Sequence, residues 1–200
     1  MLTPAQIVEN RDKIIVLLSE TNRANMDTLL NYMLNGEFFL SPGSTKFHGC
    51  YAGGLAAHSL NVYTLLDEVN RSYDLECPQE SVVIAALLHD LCKMGAYIGT
   101  EKPYTYNRSN PKGHAELSIT RIKQYITLTP LEDMMIRYHM GVYGLIEFDP
   151  DKGEYALRGN AMAYAWHHFP IVKVMYFCDE FATLQEKAEE KSCHTNTELV

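Results

Sequence analysis

The sequence lacks an excess of positive charge. Its 200 residues include 17 lysines and arginines against 25 aspartates and glutamates, which gives a formal net charge of −8 at pH 7. Proteins that bind long nucleic acid through its phosphates normally carry the opposite balance, concentrated in a basic patch. We therefore do not expect long nucleic acid as a partner. A small anionic ligand is still compatible with this charge, because a bound metal ion supplies positive charge of its own.

Paired cysteines and long apolar segments are also missing. The five cysteines are scattered and form no CxxC pair, so the sequence predicts neither a disulfide framework nor a zinc ribbon and is typical of reduced thiols in a cytosol. The N-terminal segment has no signal-peptide pattern, and the longest apolar run, residues 82–88, is too short to cross a bilayer. We expect a cytoplasmic protein without membrane contact.

Helical periodicity extends over most of the chain. It occurs in two segments of the first forty residues, after residue 54, in two segments between residues 113 and 141, and from residue 160 to about 187. Pro170 should end or kink the last of these helices near Phe169. Turn-rich stretches between the helices are interpreted as loops, namely residues 41–54, 96–112 and 142–159. The pattern predicts an all-α fold.

A chain of this length with 46% hydrophobic residues is expected to form one domain. We divide it into a helical lead-in (residues 1–37) packed on the core, a core (38–184) and a polar tail (185–200). The tail is charged and lacks apolar periodicity, so we expect it to fray. Its glutamates are interpreted as a solvated helix end and not as metal ligands; they are Glu186, Glu189 and Glu190.

The most hydrophobic segment is followed by an ionisable pair. Residues 82–88 are apolar on every side and alanine-rich, which favours a central buried helix over a buried strand. His89 and Asp90 come next, where burial costs free energy unless the side chains are paired or coordinated. One interpretation is a metal site. The other is a helix-end pair in which Asp90 merely meets Lys93.

Other candidate ligands lie where predicted helices can direct them inward; they are His58, His114, His139 and Asp179. Imidazole nitrogens and carboxylate oxygens together bind borderline first-row divalent ions, whereas thiolate sites favour zinc or iron–sulfur clusters. The predicted cofactors are therefore one or two divalent ions among Mn, Fe, Co, Ni and Zn, with Mg possible at a second site.

These residues fall in an ordered series of short segments: HGCYAGGLAAHSLNVY, ALLHDLCK, GHAELS, IRYHMG and CDEFAT. Together the segments resemble the HD-domain metal-dependent phosphohydrolases over residues 38 to 184, and in particular a bacterial and phage branch of short, stand-alone members. Two departures are that members of this branch often have GHGEKS where this chain has GHAELS, and often Trp in place of Tyr138.

The resemblance implies an HD-domain helical bundle with its metal site between central helices. It implies four ligands for a first metal: His58, His89, Asp90 and Asp179. In two-metal members later histidines bind a second ion, and the matching positions here are His114 and His139, with Asp90 as the bridge. The missing lysine of the GHGEKS motif leaves this second site possible but weakens any substrate role for that motif.

The implied chemistry is phosphoester hydrolysis by metal-activated water. Asp90 would orient the water, and Lys93 would contact the phosphate as a point charge. His48, before a glycine-rich turn, and Arg108, in the loop before Gly113, are candidate substrate-binding residues. The alternative interpretation makes both of them ordinary loop residues. The consecutive His167 and His168 are interpreted as surface or supporting residues.

Three hypotheses about function follow. The first is an enzyme that hydrolyses a phosphomonoester or phosphodiester of a nucleotide-like small molecule. The second is a nuclease on single-stranded RNA or DNA, because the GGL-x-x-H turn is also similar to the HD domain of a bacterial 3′-to-5′ exoribonuclease. The lack of a basic, β-rich binding module ranks it lower. The third is a non-catalytic metal or nucleotide sensor, against which the complete ligand set argues. The sequence makes no prediction about oligomeric state.

Overall fold

The computed structural model describes the chain except at residues 47, 100–101, 112, 142–145, 150–153, 158–159 and 198–200; at residues 146–149, 154–157, 160 and 190–197 it describes the backbone alone. The helices in this part of the chain are α1 (Pro4–Glu20), α2 (Met26–Asn35), α3 (Gly54–Ser72), α4 (Gln79–Leu88), α5 (His114–Ile122), α6 (Pro130–Arg137), α7 (Asn160–His168) and α8 (Pro170–Thr197). The all-α prediction is confirmed.

Two short antiparallel strand pairs lie in segments that were predicted to be loops. Strands β1 (Tyr97–Ile98) and β2 (Thr105–Tyr106) pair with each other, and so do β3 (Ile146–Asp149) and β4 (Glu154–Leu157). Pairs this short have little periodicity, which is why turn residues dominated the sequence signal. The β1–β2 pair matters for function because it borders the site described below.

Helices α1 and α6 begin at reciprocal capping interactions. The Thr3 hydroxyl accepts a hydrogen bond from the backbone of Gln6, and the Gln6 side chain accepts one from the backbone of Thr3. Thr129 and Glu132 form the same arrangement at α6. In both helices a proline occupies the first position, where no backbone N–H is needed. These caps fix the residue at which each helix starts.

Helix α4 is the centre of the fold. Residues 82–88 are buried and pack against α1, α3 and α6, which confirms the predicted buried helix. The helix ends at Leu88, before the apolar Leu91 and Cys92, because the backbone leaves helical geometry at Asp90 (φ −104°, ψ 18°) and forms a 3₁₀ turn over Leu91–Lys93. This turn holds Asp90 and Lys93 close together, since the Lys93 backbone N–H donates to the Asp90 carbonyl.

The C-terminal helix extends further than the sequence predicts. Helix α7 ends just before Pro170, as expected, and α8 then runs without interruption to Thr197. The expectation of a frayed tail from residue 185 is wrong over residues 185–197, which continue the helix, and its last three residues, 198–200, lie outside the described residues. Helix α8 packs against α3, α6 and α7, and the Glu186 side chain is only 4% exposed. A polar contact, described below, buries this part of the helix, so an apolar pattern could not reveal it.

The lead-in helices belong to the same hydrophobic core as the rest of the chain. Helix α1 packs against α3 and α4, and its Ile14 and Leu18 are fully buried together with Val62 and Leu66 of α3. Leu29 of α2 joins this cluster. Among the helices of the described residues, none is long and apolar enough to cross a membrane.

Candidate metal centre

Five helices or helix ends bring the predicted ligands to one point. His58 lies in the second turn of α3, and the His89–Asp90 pair follows the last residue of α4. The remaining three ligands come from the start of α5, the turn after α6 and the middle of α8, and are His114, His139 and Asp179. These segments are separated from one another along the chain, so their side chains meet only when the helical bundle is packed.

A close backbone approach places His58. The loop before α3 folds back so that the Gly49 carbonyl lies against Gly54, and a Cβ atom at Gly54 would sit 2.0 Å from that oxygen. Only glycine is compatible with such a contact. The preceding Gly53 has φ +81°, which also favours glycine. The GG pair therefore fixes the start of α3 and, one turn later, the direction of His58.

One group of side chains surrounds the Asp179 carboxylate. Its Oδ1 lies 2.9 Å from His58 Nε2 and 3.8 Å from His89 Nε2. The Oδ2 atom of Asp90 faces the same two nitrogens, at 3.9 Å from His58 and 3.3 Å from His89. Two imidazoles and two carboxylates thus present their polar atoms to a common space, which is the donor set expected of a borderline divalent ion.

A second group lies on the opposite oxygen of Asp90. Its Oδ1 is 2.7 Å from His114 Nε2 and 3.7 Å from His139 Nε2. The ligand atoms of Asp90, His114 and His139 all lie within 4.8 Å of one another, as do those of His58, His89 and Asp90. Each Asp90 oxygen thus faces a different pair of imidazoles, and the carboxylate lies between the two groups.

Two buried imidazole nitrogens have the chemistry of cation ligands. His89 Nδ1 donates to the Ala86 carbonyl at 2.8 Å, and His139 Nδ1 donates to the Ile136 carbonyl at 2.6 Å. In a neutral ring with this tautomer Nε2 is the acceptor, and within the described residues neither Nε2 atom has a hydrogen-bond partner. A buried acceptor without a partner costs free energy. A metal ion at these nitrogens would remove that cost, so the residues present fit the cofactor that the sequence predicts.

The electrostatics show a strongly negative centre compensated by protons and by one lysine. Burial raises the pKa of Asp90, but Lys93, His89 and His114 outweigh burial and hold the pKa well below its usual range. The pKa of Asp179 is also held low, because His58 and His89 outweigh the effect of burial. Both carboxylates are therefore anionic and suited to ligate a cation.

The pKa values of the imidazoles shift in opposite directions, according to whether burial or the nearby carboxylates have the larger effect. Burial lowers the pKa of His58, yet hydrogen bonds to Asp179 and Glu186 raise it to about 9. At His114 the effect of burial is outweighed by Asp90, and the pKa is about 10. Burial and the nearby His89 lower the pKa of His139 to about 3. Without a metal ion, protons on His58 and His114 supply part of the positive charge that the carboxylates require.

Lys93 lies at the edge of this centre. Its Nζ atom is 2.6 Å from Asp90 Oδ2, and Asp90 raises the pKa of Lys93 further than burial lowers it. The predicted contact between Asp90 and Lys93 is therefore present, but it is only one of the contacts of Asp90. Lys93 and His114 also line a cavity of about 180 Å³, together with Tyr97 and Tyr106 from the β1–β2 pair.

The two candidate substrate residues differ in position. The His48 ring lies 4.6 Å from the His58 ring, and in the described part of the structure neither of its buried nitrogens has a hydrogen-bond partner. Burial and the neighbouring His58 and Lys93 lower the pKa of His48 to about 4, so the ring is neutral near neutral pH. Arg108 is exposed and does not line the cavity, and His167 and His168 are exposed at the end of α7.

The sequence interpretation missed Glu186. Far from being solvated, its carboxylate lies 3.1 Å from His58 Nδ1 and accepts a hydrogen bond from Asn61 Nδ2 at 2.8 Å. The signal was present in the spacing, because residues seven apart on a helix share one face and Glu186 follows Asp179 by two turns. The charged composition of the segment hid this relation.

Comparison with known proteins identifies one family. A model of the family described as HD domain matches residues 55–184, which is more than half of the chain. No curated protein and no solved structure gives a significant match. The six predicted ligands all lie within the matched range, whereas His48 and Glu186 lie outside it.

Proposed function

Because the chain belongs to the HD-domain family of metal-dependent phosphohydrolases, we propose that it hydrolyses a phosphomonoester or phosphodiester of a nucleotide-like small molecule. The observation that carries this proposal is the position of Asp90, whose two oxygens face two separate groups of imidazoles. A carboxylate buried in this way, with partnerless imidazole nitrogens around it, has the features of a metal bridge and not of a structural ion pair.

The proposed ligands divide into two sets that share Asp90. The first contains His58, His89, Asp90 and Asp179, and the second contains Asp90, His114 and His139. When bound, divalent ions lower the pKa of water and offset the charge of phosphoryl oxygens. Asp90 orients the attacking water, and Lys93 holds a phosphate oxygen at the wall of the cavity. The nitrogen and oxygen donors favour Mn, Fe, Co, Ni or Zn, with Mg as a candidate for the second set.

The cavity beside Lys93 supports a small substrate. Sites for complete small molecules usually measure roughly 300–1,000 Å³, so about 180 Å³ accommodates only the group next to the phosphate. The rings of Tyr97 and Tyr106 meet edge to face at 6.2 Å and offer aromatic contact to a sugar or a base. Asn110 adds a polar group to the wall. This composition supports a nucleotide-like leaving group.

Metal analysis of the purified protein, followed by a panel of phosphomonoesters and phosphodiesters with Mn, Co, Ni, Mg and Zn, tests the proposal. We expect bound metal and turnover of a small phosphoester, and loss of both in His89→Ala and Asp90→Ala. His168→Ala, which removes an exposed imidazole, is the matched control and should keep wild-type metal content and activity.

Three outcomes contradict the proposal. Retention of metal and activity in His89→Ala and Asp90→Ala would exclude this centre. Degradation of single-stranded RNA by the wild type, but not by these variants, would replace the small substrate with a polymer. Stoichiometric metal and tight nucleotide binding without turnover would identify a sensor.

A further inference from the structure

We infer that Glu186 is a positioning residue for the metal ligand His58, so that the functional centre extends beyond the segment that matches the family. Both Glu186 oxygens approach His58 Nδ1, at 3.1 and 3.3 Å. The opposite ring nitrogen, Nε2, faces the centre and lies 2.9 Å from Asp179. His58 is fully buried, so no solvent competes for either nitrogen.

One helix face supplies both carboxylates that hold this ring. Asp179 and Glu186 are two turns apart on α8, and His58 of α3 lies between them. Asp179 contacts the nitrogen directed into the centre, and Glu186 contacts the nitrogen directed away from it. Packing of α3 against α8 thus sets the orientation of the imidazole from both sides.

Asn61 fixes Glu186 in turn. It lies one turn after His58 on α3, and its side-chain amide donates to Glu186 Oε1 at 2.8 Å. A buried carboxylate is costly unless its oxygens are hydrogen-bonded, and Glu186 is 4% exposed. The contacts with Asn61 and His58 explain why a glutamate occupies an otherwise enclosed position. They also hold its charge at the outer nitrogen of His58.

The other three imidazoles have weaker partners at their outer nitrogens. His89 and His139 donate to backbone carbonyls, and His114 Nδ1 lies 3.1 Å from the sulfur of Cys92. A carboxylate at the outer nitrogen fixes the tautomer and increases the basicity of the ligating nitrogen more than a neutral acceptor does. His58 is therefore the best-prepared of the four ligands, and the first set should hold its cation more tightly than the second.

The test measures cation binding, so it rests on the proposed metal centre but not on the proposed substrate. The affinity of wild type, Glu186→Gln and Glu186→Ala for Mn and Co is measured by chelator competition, with metal stoichiometry from elemental analysis. We expect a loss of roughly 10- to 100-fold for Glu186→Ala and a smaller loss for Glu186→Gln, which keeps an acceptor oxygen but not the charge. Glu68→Gln, an exposed change on α3, is the control and should bind as the wild type does.

The tautomer of His58 distinguishes a positioning role of Glu186 from a merely structural one, because a merely structural role would leave the tautomer unchanged. Nitrogen NMR of the imidazoles should show His58 protonated at Nδ1 and ligated at Nε2 in the metal-bound wild type, with a changed or mixed signal in Glu186→Ala. If Glu186→Ala fails to fold, Glu186→Gln decides the question. Unchanged affinity and unchanged His58 signals in a folded Glu186→Gln and Glu186→Ala would overturn the inference. Absence of metal from the wild type would instead overturn the proposed function.

Discussion

At the scale of single residues, Asp90 has the largest predicted effect because its two oxygens serve different ligand sets. Oδ2 faces His58 and His89, whereas Oδ1 faces His114 and His139. An Asp90→Asn substitution keeps the size of the side chain but replaces one oxygen by a donor that cannot ligate. We expect the variant to lose both cations, and His114→Ala to lose only the second.

Elemental analysis of the metal content per chain, after dialysis against equal free metal, distinguishes these variants. A metal content that falls stepwise from the wild type to His114→Ala and then to Asp90→Asn would agree with a bridging carboxylate. Equal metal content in Asp90→Asn and the wild type would exclude the bridge. His167→Ala removes an exposed imidazole and should leave the content unchanged.

Lys93 is predicted to affect turnover without affecting the metal. Its ammonium group contacts Asp90 and lines the cavity, but it has no lone pair for a metal when protonated, and its pKa is raised. Lys93→Met keeps the apolar stem and removes the charge that holds the phosphate. We expect kcat/KM to fall roughly 100-fold, as when one electrostatic contact to a reacting group is lost.

Steady-state kinetics at fixed metal saturation, with metal content measured in parallel, tests the role of Lys93. The exposed Lys13→Met on α1 is the matched control and should behave as the wild type. Loss of metal together with activity in Lys93→Met would assign the lysine to the stability of Asp90 and not to the substrate.

At the scale of helices and turns, the sequence predicts those features that depend on the pattern of apolar residues. The buried helix α4 and the break at Pro170 were both visible in spacing and composition. The turn after Leu88 was not, because apolar residues resume at Leu91 and Cys92, as they would in a continuing helix, while the backbone changes geometry at Asp90. Glu186 was missed for the opposite reason, since its burial rests on hydrogen bonds and not on hydrophobicity.

A buried ion pair connects the lead-in to the central helices. Glu132 at the start of α6 is fully buried and accepts hydrogen bonds from Arg23 at 2.7 and 3.0 Å and from Ser81 of α4 at 2.8 Å. Removing one partner of a buried pair leaves an uncompensated charge. We expect Glu132→Gln to lower the free energy of unfolding by about 3 kcal/mol at neutral pH, as measured by denaturant titration, while the exposed Glu9→Gln has little effect.

The contribution of Glu132 should depend on pH. Burial raises its pKa, but hydrogen bonds from Arg23, Thr129 and Ser81 outweigh burial and lower the pKa below 4.5. Stabilisation from a lowered carboxyl pKa is complete above the unfolded value and is lost as the pH falls through the folded value. The difference in unfolding free energy between wild type and Glu132→Gln should therefore be largest above about pH 5 and shrink on acidification. A difference that is constant or grows towards acid pH would contradict this assignment.

At the scale of the whole molecule, the acidic balance and the composition of the centre belong together. The chain carries a net charge of −8, and this total includes the buried carboxylates of Asp90 and Glu186 and the partly buried one of Asp179. An anionic substrate is not attracted by such a molecule as a whole. Under the proposed function we expect it to bind where Lys93 and the proposed cations reverse the local sign, and we expect long polyanions to bind less well.

Cation binding is expected to be coupled to the stability of the fold. The ligands come from α3, the end of α4, α5, the turn after α6, and α8, so they meet only in the folded chain. A ligand that binds the folded state alone stabilises it by about 2.7 kcal/mol at a concentration one hundred times its dissociation constant. We expect chelation to lower Tm and added Mn or Co to restore it in a concentration-dependent way, measured by thermal unfolding followed by circular dichroism.

His89→Ala supplies the control for this effect, because it removes a ligand whose buried Nε2 atom has no hydrogen-bond partner in the described part of the chain. Without metal, its Tm should lie below that of the chelated wild type, because the substitution removes a fully buried ring and its hydrogen bond to the Ala86 carbonyl. With metal, its Tm should rise far less than that of the wild type. A wild-type Tm that is the same with chelator and with saturating metal would mean that the carboxylates and imidazoles are held by their own protons and Lys93 alone, and that the centre is a structural charge network.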